Sequence, residues 1–264
     1  MKNISDRKRI VVKVGTSTLT HRTGMLNIRR VEQLVKTLAD IQNSGHEVIL
    51  VSSGAIGLGM GKLGLRERPK DTPGKQACAA VGQCELMYLY DNLFAEYSIT
   101  VAQMLLTKYI LLEDRRKNVE NAMERLIAHG VIPIINENDT VAIDELELEV
   151  GENDSLAATV AAIAKADLLI IMSDIDGLYD KDPHTYDDAR LIPVVHEITD
   201  DIRALAGGAG TKLGTGGMIT KLNAVEIAYD SDIDVVLMNG QHPKTLYDLF
   251  DGKTVGTFFC KKPD

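Results

Sequence analysis

Cysteine is scarce: Cys78, Cys84 and Cys260 include no CxxC pair and leave one thiol over under any disulfide scheme. The expectation is therefore buried thiols packed as small apolar side chains, since free cysteine behaves that way. Long apolar runs are missing as well. No stretch approaches the roughly 20 residues that cross a bilayer, and the opening MKNISDRKRI leads into a strand-like segment without an apolar leader. The expectation is a cytoplasmic protein with no membrane partner. Positive charge is in deficit too, with 29 Lys and Arg against 38 Asp and Glu and a net charge of −9. That balance argues against nucleic acid as a partner, because non-specific binding needs a basic face. What remains is ordinary for a globular protein, 45% hydrophobic and 25% charged. A chain of this length buries roughly 70–75% of its unfolded surface.

Against that background one stretch stands out. Gly207 to Lys221, GGAGTKLGTGGMITK, places six glycines among threonines and two lysines just before a well-patterned helix. Glycines let backbone amides approach an anion closely at a helix N-terminus, and Lys212 and Lys221 add mobile charge. The stretch is not a Walker A loop, because neither lysine follows a glycine.

Other polar motifs share one kind of position. Arg9–Val14 reads as a buried strand and runs into Lys13-Val14-Gly15-Thr16-Ser17, which can turn an ammonium and several amides toward one anion. Helical spacing follows from Asn27 to Ser44, and a strand over Val48–Val51 ends in Ser52-Ser53-Gly54-Ala55. After a polar loop, Arg66–Gly74, come a helix over Lys75–Tyr97, a strand over Ile99–Leu106 and a helix over Glu113–His129. A strand over Val131–Ile135 then delivers Asn136-Glu137-Asn138-Asp139. Thr140–Val150 alternates as a strand pair or flap. It precedes Gly151-Glu152-Asn153-Asp154 and an alanine-rich helix over Ser155–Ala166. Asp167–Met172 is another buried strand, ending in Ser173-Asp174. Gly59 to Gly64 matches GxGxxG, but Ser52 to Leu58 separate it from its strand and no acidic residue follows at the right distance. A dinucleotide site is the weaker alternative.

Strands and helices alternate throughout, which predicts an α/β fold: an open, mostly parallel sheet covered by helices on both faces. In such sheets ligands bind at the carboxyl ends of strands. The polar motifs gather there, so one composite site is expected. No linker or repeat is visible, and a single domain over residues 1–264 follows.

Taken in order, Val12 to Ser17, Ser52 to Ile56, Asn136 to Asp139, Gly151 to Asp154, Ser173-Asp174 with Gly177-Leu178-Tyr179, and Gly214 to Met218 with Thr220-Lys221 resemble the amino acid kinase family. Gly15-Thr16 after the first lysine and the paired NEND and GEND motifs resemble its glutamate-phosphorylating branch. The resemblance implies an α/β/α sandwich and ATP-dependent phosphorylation of the side-chain carboxylate of L-glutamate to L-glutamyl 5-phosphate, for proline biosynthesis. It further implies that Lys13 and Lys221 stabilise the transferring phosphoryl group while Asp154 orients them. Ser53, Gly54, Asn138, Asp139 and Asn153 would bind glutamate. Lys13, Gly15, Ser173, Asp174, Thr215, Gly216, Gly217, Met218, Ile219, Thr220 and Lys221 would bind ATP, with Mg2+ held mainly through the ATP phosphates and no protein metal site. On this view the N-terminal part serves glutamate and the C-terminal part ATP. A homo-oligomer with proline as a feedback inhibitor is also implied. The alternatives are a kinase for another amino-acid carboxylate or a non-catalytic sensor of amino acid and nucleotide. Two departures are visible: Glu152 stands where the family more often has Asp, and many relatives continue beyond the point matching Asp264 into a domain resembling RNA-binding modules. A short form without that domain is the expectation.

Overall fold

The computed structural model describes residues 4–21, 25–107, 113–141, 153–207 and 217–261. After a 3-10 turn at Ile4–Asp6, the strands are β1 (Arg9–Val14), β2 (Glu47–Ser52), β3 (Val101–Leu106), β4 (Ile132–Glu137), β5 (Leu168–Ser173), β6 (Val194–Val195), β7 (Asp234–Asn239) and β8 (Thr257–Phe259). The helices are α1 (Thr16–Leu19), α2 (Ile28–Asn43), α3 (Ala55–Lys62), α4 (Thr72–Ala95), α5 (Glu113–Ala128), α6 (Asn153–Ala164), α7 (Asp200–Gly207), α8 (Met218–Tyr229) and α9 (Thr245–Phe250).

Among the described residues the strands form one eight-stranded sheet in the order β3-β4-β2-β1-β5-β7-β8-β6. All neighbours are parallel except β7 and β8. The central strands are apolar on both faces because helices cover both, and their residues divide by parity. Val11, Ile49, Val51, Leu169, Ile171, Val235 and Leu237 share a core with residues of α5, α6 and α8. Ile10, Val12, Val14, Val48, Leu50, Ile170 and Met238 share the other with α2, α4 and α9. With a side-chain period of two, Lys13 projects on the side of Val11, toward α6 and α8.

The order also locates a crevice. From β1 the chain builds β2, then β3 and β4 farther out, and returns across β1 to place β5 on its other side. That reversal is a topological switch point, where the carboxyl ends of an open sheet leave room for a ligand. The registers Val14↔Ser52 and Val14↔Met172 bring the ends of β2, β1 and β5 level with one another.

Several boundaries differ from the sequence expectation. α4 begins at Thr72 because Asp71 caps it by accepting from Gly74 N at 2.9 Å and Pro73 suits the first turn. α6 begins at Asn153, so half of the expected turn is helical. The Gly-Thr-Ser turn is the short α1, while β6 and α9, two and six residues long, carry too little periodicity to be seen in sequence. Gly59 and Gly61 lie inside α3, which removes the dinucleotide reading, since helical glycines cannot form the phosphate turn. Cys84 is exposed on α4, whereas Cys78 and Cys260 are buried as expected. The strand pair or flap expected over Thr140–Val150 lies outside the described residues from 142 on, and residues 140–141 form a turn. No helix among the described residues is long and apolar enough to cross a membrane.

The glycines of α3 and α4 have a different function. A Cβ on Gly82 would stand 1.7 Å from Ala55 O, and one on Gly59 would stand 1.8 Å from Cys78 O. The two helices therefore cross backbone against backbone, which fixes α4 relative to the loop entering α3. Gly82→Ala must push the helices apart and should cost about 1–3 kcal/mol, a fall of roughly 2–12 °C in melting temperature for a chain of this size. Thermal unfolding followed by circular dichroism checks it.

Candidate active site

Three buried charged residues meet at the switch point. Lys13 comes from β1, Asp154 from the first turn of α6 and Lys221 from the first turn of α8. Lys13 Nζ lies 2.7 Å from Asp154 Oδ1, and Lys221 Nζ lies 3.2 Å from Asp154 Oδ2. The three residues are 8%, 2% and 6% exposed respectively. An acidic residue in the first turn of a helix also meets the positive end of its dipole. Burial alone would push the Asp154 carboxyl up, but the ammoniums of Lys13 and Lys221 outweigh it and hold the group below the usual carboxylate range. Both ammoniums therefore meet on the one carboxylate of Asp154.

Glycine keeps an approach to that charge open. A Cβ on Gly15 would lie 3.6 Å from Lys13 Nζ, in contact with the ammonium. Gly217 caps α8 without a side chain, and a Cβ there would meet nothing within 4 Å. The amides opening α8 and both ammoniums thus suit a polyanion such as a string of phosphates.

A second cluster adjoins on the β2 and β4 side. Ser53 follows β2 and is tied to β1 by its backbone N–H, which donates to Val14 O at 3.1 Å. Gly54 takes φ +101° to turn the chain into α3, a left-handed conformation that favours glycine. Asn153 Nδ2 donates to Ser53 Oγ at 2.7 Å and to Asn136 Oδ1 at 3.0 Å. Asn136 Nδ2 donates in turn to Gln83 Oε1 on α4 at 3.0 Å. The sequence points to Asn136 only as part of the Asn136–Asp139 motif, and a lone glutamine amid the small residues of AAVGQC is the one signal for Gln83.

Asn138 and Asp139 follow β4, with Asn138 N donating to Leu106 O at 2.7 Å. Burial pushes the Asp139 carboxyl up, opposed by the charge of Arg68. No hydrogen bond joins Asp139 to Asn153 among the described residues; Asn153 is bonded to Ser53 and Asn136 instead. At the other end of the site, Ser173 is buried and donates through Oγ to Asp174 Oδ1 at 3.1 Å, and Asp174 itself is exposed. In α8, Thr220 Oγ1 donates to Gly217 O at 2.7 Å, Met218 packs on the core and Ile219 is exposed. Thr215 and Gly216 lie outside the described residues.

The chain belongs to the amino acid kinase family, which matches residues 8–239. Among its relatives, a glutamate 5-kinase of Clostridium perfringens is 52% identical over 99% of this chain and 98% of its own length. A glutamate 5-kinase of Lactococcus lactis is 47% identical with the same coverage. The chain spans only 67% of a third glutamate 5-kinase, from Caldanaerobacter subterraneus, at 53% identity. Of solved structures, the UMP kinase of Bacillus anthracis superimposes with a TM-score of 0.66 at 15% identity, covering 97% of each chain. An isopentenyl phosphate kinase of T. acidophilum gives 0.63 at 19% identity, covering 96% of this chain and 100% of the other. At such identity these two show the fold alone.

The buried cluster makes stability depend on Asp154. Removing one member of a buried ionic group costs about 3–5 kcal/mol, so Asp154→Asn should melt well below wild type at neutral pH. Because its folded value is depressed, Asp154 stabilises the fold above the ordinary aspartate value and loses that effect as pH falls through the folded value. The gap between wild type and variant should therefore close in acid, as melting curves across pH will report.

Proposed function

We propose that this protein is an ATP-dependent kinase that phosphorylates the side-chain carboxylate of L-glutamate, giving L-glutamyl 5-phosphate, the first step of proline biosynthesis. The observation that supports it most is the Lys13–Asp154–Lys221 cluster at the switch point, with its approach left open by Gly15. Relatives about half identical over nearly the whole chain, each named for this activity, point the same way.

The chemistry asks little of the protein beyond position and charge. A carboxylate acceptor is already ionised at neutral pH and needs no general base, in keeping with a site that holds no histidine. A carboxylate oxygen attacks the terminal phosphorus of ATP, the bond to the bridging oxygen breaks, and ADP leaves. Negative charge is spread over the transferring oxygens, where two preorganised ammoniums stabilise it most. Asp154 sets their separation and prevents mutual repulsion. Mg2+ would arrive on the ATP phosphates and screen their charge.

In this reading Ser53, Gly54, Asn138, Asp139 and Asn153, from the first part of the chain, serve glutamate. Ser173, Asp174 and the stretch from Thr215 to Lys221 serve ATP. Assembly into a homo-oligomer, feedback inhibition by proline and a cytoplasmic location belong to the same proposal and rest on the family resemblance.

Purified protein with ATP, Mg2+ and glutamate should release ADP and, with hydroxylamine, form the hydroxamate of an acyl phosphate. Binding of both substrates without turnover would refute the reaction. Lys13→Ala and Lys221→Ala should each lower kcat by about 10²–10³-fold, as removal of one transition-state donor does. Wild-type turnover in either variant would make that lysine structural.

Asp139 is the residue expected to pair with the α-ammonium of glutamate, since a charge-assisted hydrogen bond tells an ammonium from a neutral amide. Asp139→Asn should raise KM for glutamate by about ten- to a hundredfold and leave KM for ATP unchanged. Burial raises the Asp139 value, so the carboxylate that holds the ammonium protonates earlier than an ordinary aspartate as pH falls. KM for glutamate should then rise on acidification in wild type and stay flatter in Asp139→Asn. Equal profiles would remove Asp139 from this role.

A further inference from the structure

Gln83 holds the far end of the amide relay, and its own hydrogen bonding is incomplete. The residue is 8% exposed, its Oε1 accepts from Asn136 Nδ2, and its buried Nε2 has no partner among the described residues. Packing alone does not call for glutamine here. Methionine has a similar shape and would bury no unpaired donor, which carries a desolvation cost. What Gln83 supplies here and methionine would not is an acceptor oxygen.

In the structure that oxygen takes the nitrogen of the next amide. With Asn136 Nδ2 directed at Gln83, Asn136 Oδ1 faces Asn153 and accepts from Asn153 Nδ2, which also donates to Ser53 Oγ. Each carboxamide has one donor end and one acceptor end, so the direction passes along the chain. Asn153 spends its nitrogen within the relay and keeps Oδ1, an acceptor, for a ligand. Ser53 accepts through Oγ and keeps its hydroxyl proton to donate. Run the other way, the relay would spend Asn153 Oδ1 and the Ser53 proton, and would offer a donor where an acceptor stands now.

We propose that Gln83 is a positioning residue: through Asn136 it holds Asn153 and Ser53 in the polarity that accepts from an α-ammonium and donates to a carboxylate. The proposal rests on the glutamate reading and deepens it, because an α-amino acid is the substrate class this polarity fits. The relay is anchored at both ends by one rigid unit. Gln83 follows Gly82 at the contact of α4 with α3, and Ser53 immediately precedes the Gly54 turn into α3.

The test compares glutamate with glutarate, the same dicarboxylate without the ammonium, in wild type, Gln83→Met and Gln83→Glu. Gln83→Met removes the acceptor and keeps the bulk. It should lower the glutamate-to-glutarate ratio of kcat/KM by about tenfold, mainly through KM for glutamate, with KM for ATP unchanged. Gln83→Glu keeps an oxygen facing Asn136 and should preserve the ratio within roughly threefold. An unchanged ratio in Gln83→Met overturns the proposal. So does a Gln83→Glu enzyme as impaired as Gln83→Met, since an acceptor at that position would then not set the polarity. If Gln83→Met does not fold by circular dichroism, Asn136→Leu cuts the relay one link on and should give the same drop, with an unchanged ratio again overturning it. A wild type that fails to phosphorylate glutamate at all would sink the glutamate reading and this proposal together. Turnover by wild type with an unmoved ratio in the variants would sink this proposal alone.

Discussion

The structure depends on a carboxylate that three separate parts of the chain must share. Asp154 opens α6, Lys13 lies on β1 and Lys221 opens α8, and each is nearly inaccessible to water. Charges that deep are tolerated only when they are paired and hydrogen-bonded. The central strand and two helix N-termini are thereby held together around one shared carboxylate. In the proposed reading anchoring and function coincide, because the arrangement that holds the two lysines on one carboxylate is also the one that would receive an anion.

Topology puts this point where it is useful. The chain leaves β1 in one direction and returns past it to β5, so the carboxyl ends of the central strands open into a crevice rather than against a connecting loop. On one side of the lysines lie Gly217 and the opening turn of α8, suited to phosphates. On the other lie Ser53 and the amides of Asn153 and Asn136. Lys221 belongs to that turn of α8 and Asp154 follows Asn153 in α6, so in the proposed reading the charged cluster links the two sides.

The amide relay shows a different kind of constraint. It carries no net charge and contributes modestly to stability, yet its direction determines whether the site offers donors or acceptors. Such an arrangement needs a fixed backbone beneath it, which the glycine contact of α3 with α4 supplies.

By itself the sequence determined a great deal here. Continuous apolar runs such as RIVVKV and DLLIIM announced a sheet covered on both faces, and glycine-rich or polar breaks marked the strand ends where the site lies. Lys13, Asp154 and Lys221 could be named because each stands in a local motif, and residue type alone suggested an anion. Tertiary structure decided the rest. That one carboxylate sits between both lysines depends on the register of β1 and on how α6 and α8 cross it, separations of 141 and 67 residues that no local pattern encodes. Gln83 was hidden for the same reason. A glutamine within a helix is indistinguishable from a solvated one until packing buries it, and only the folded chain brings it to within hydrogen-bonding distance of Asn136, 53 residues away.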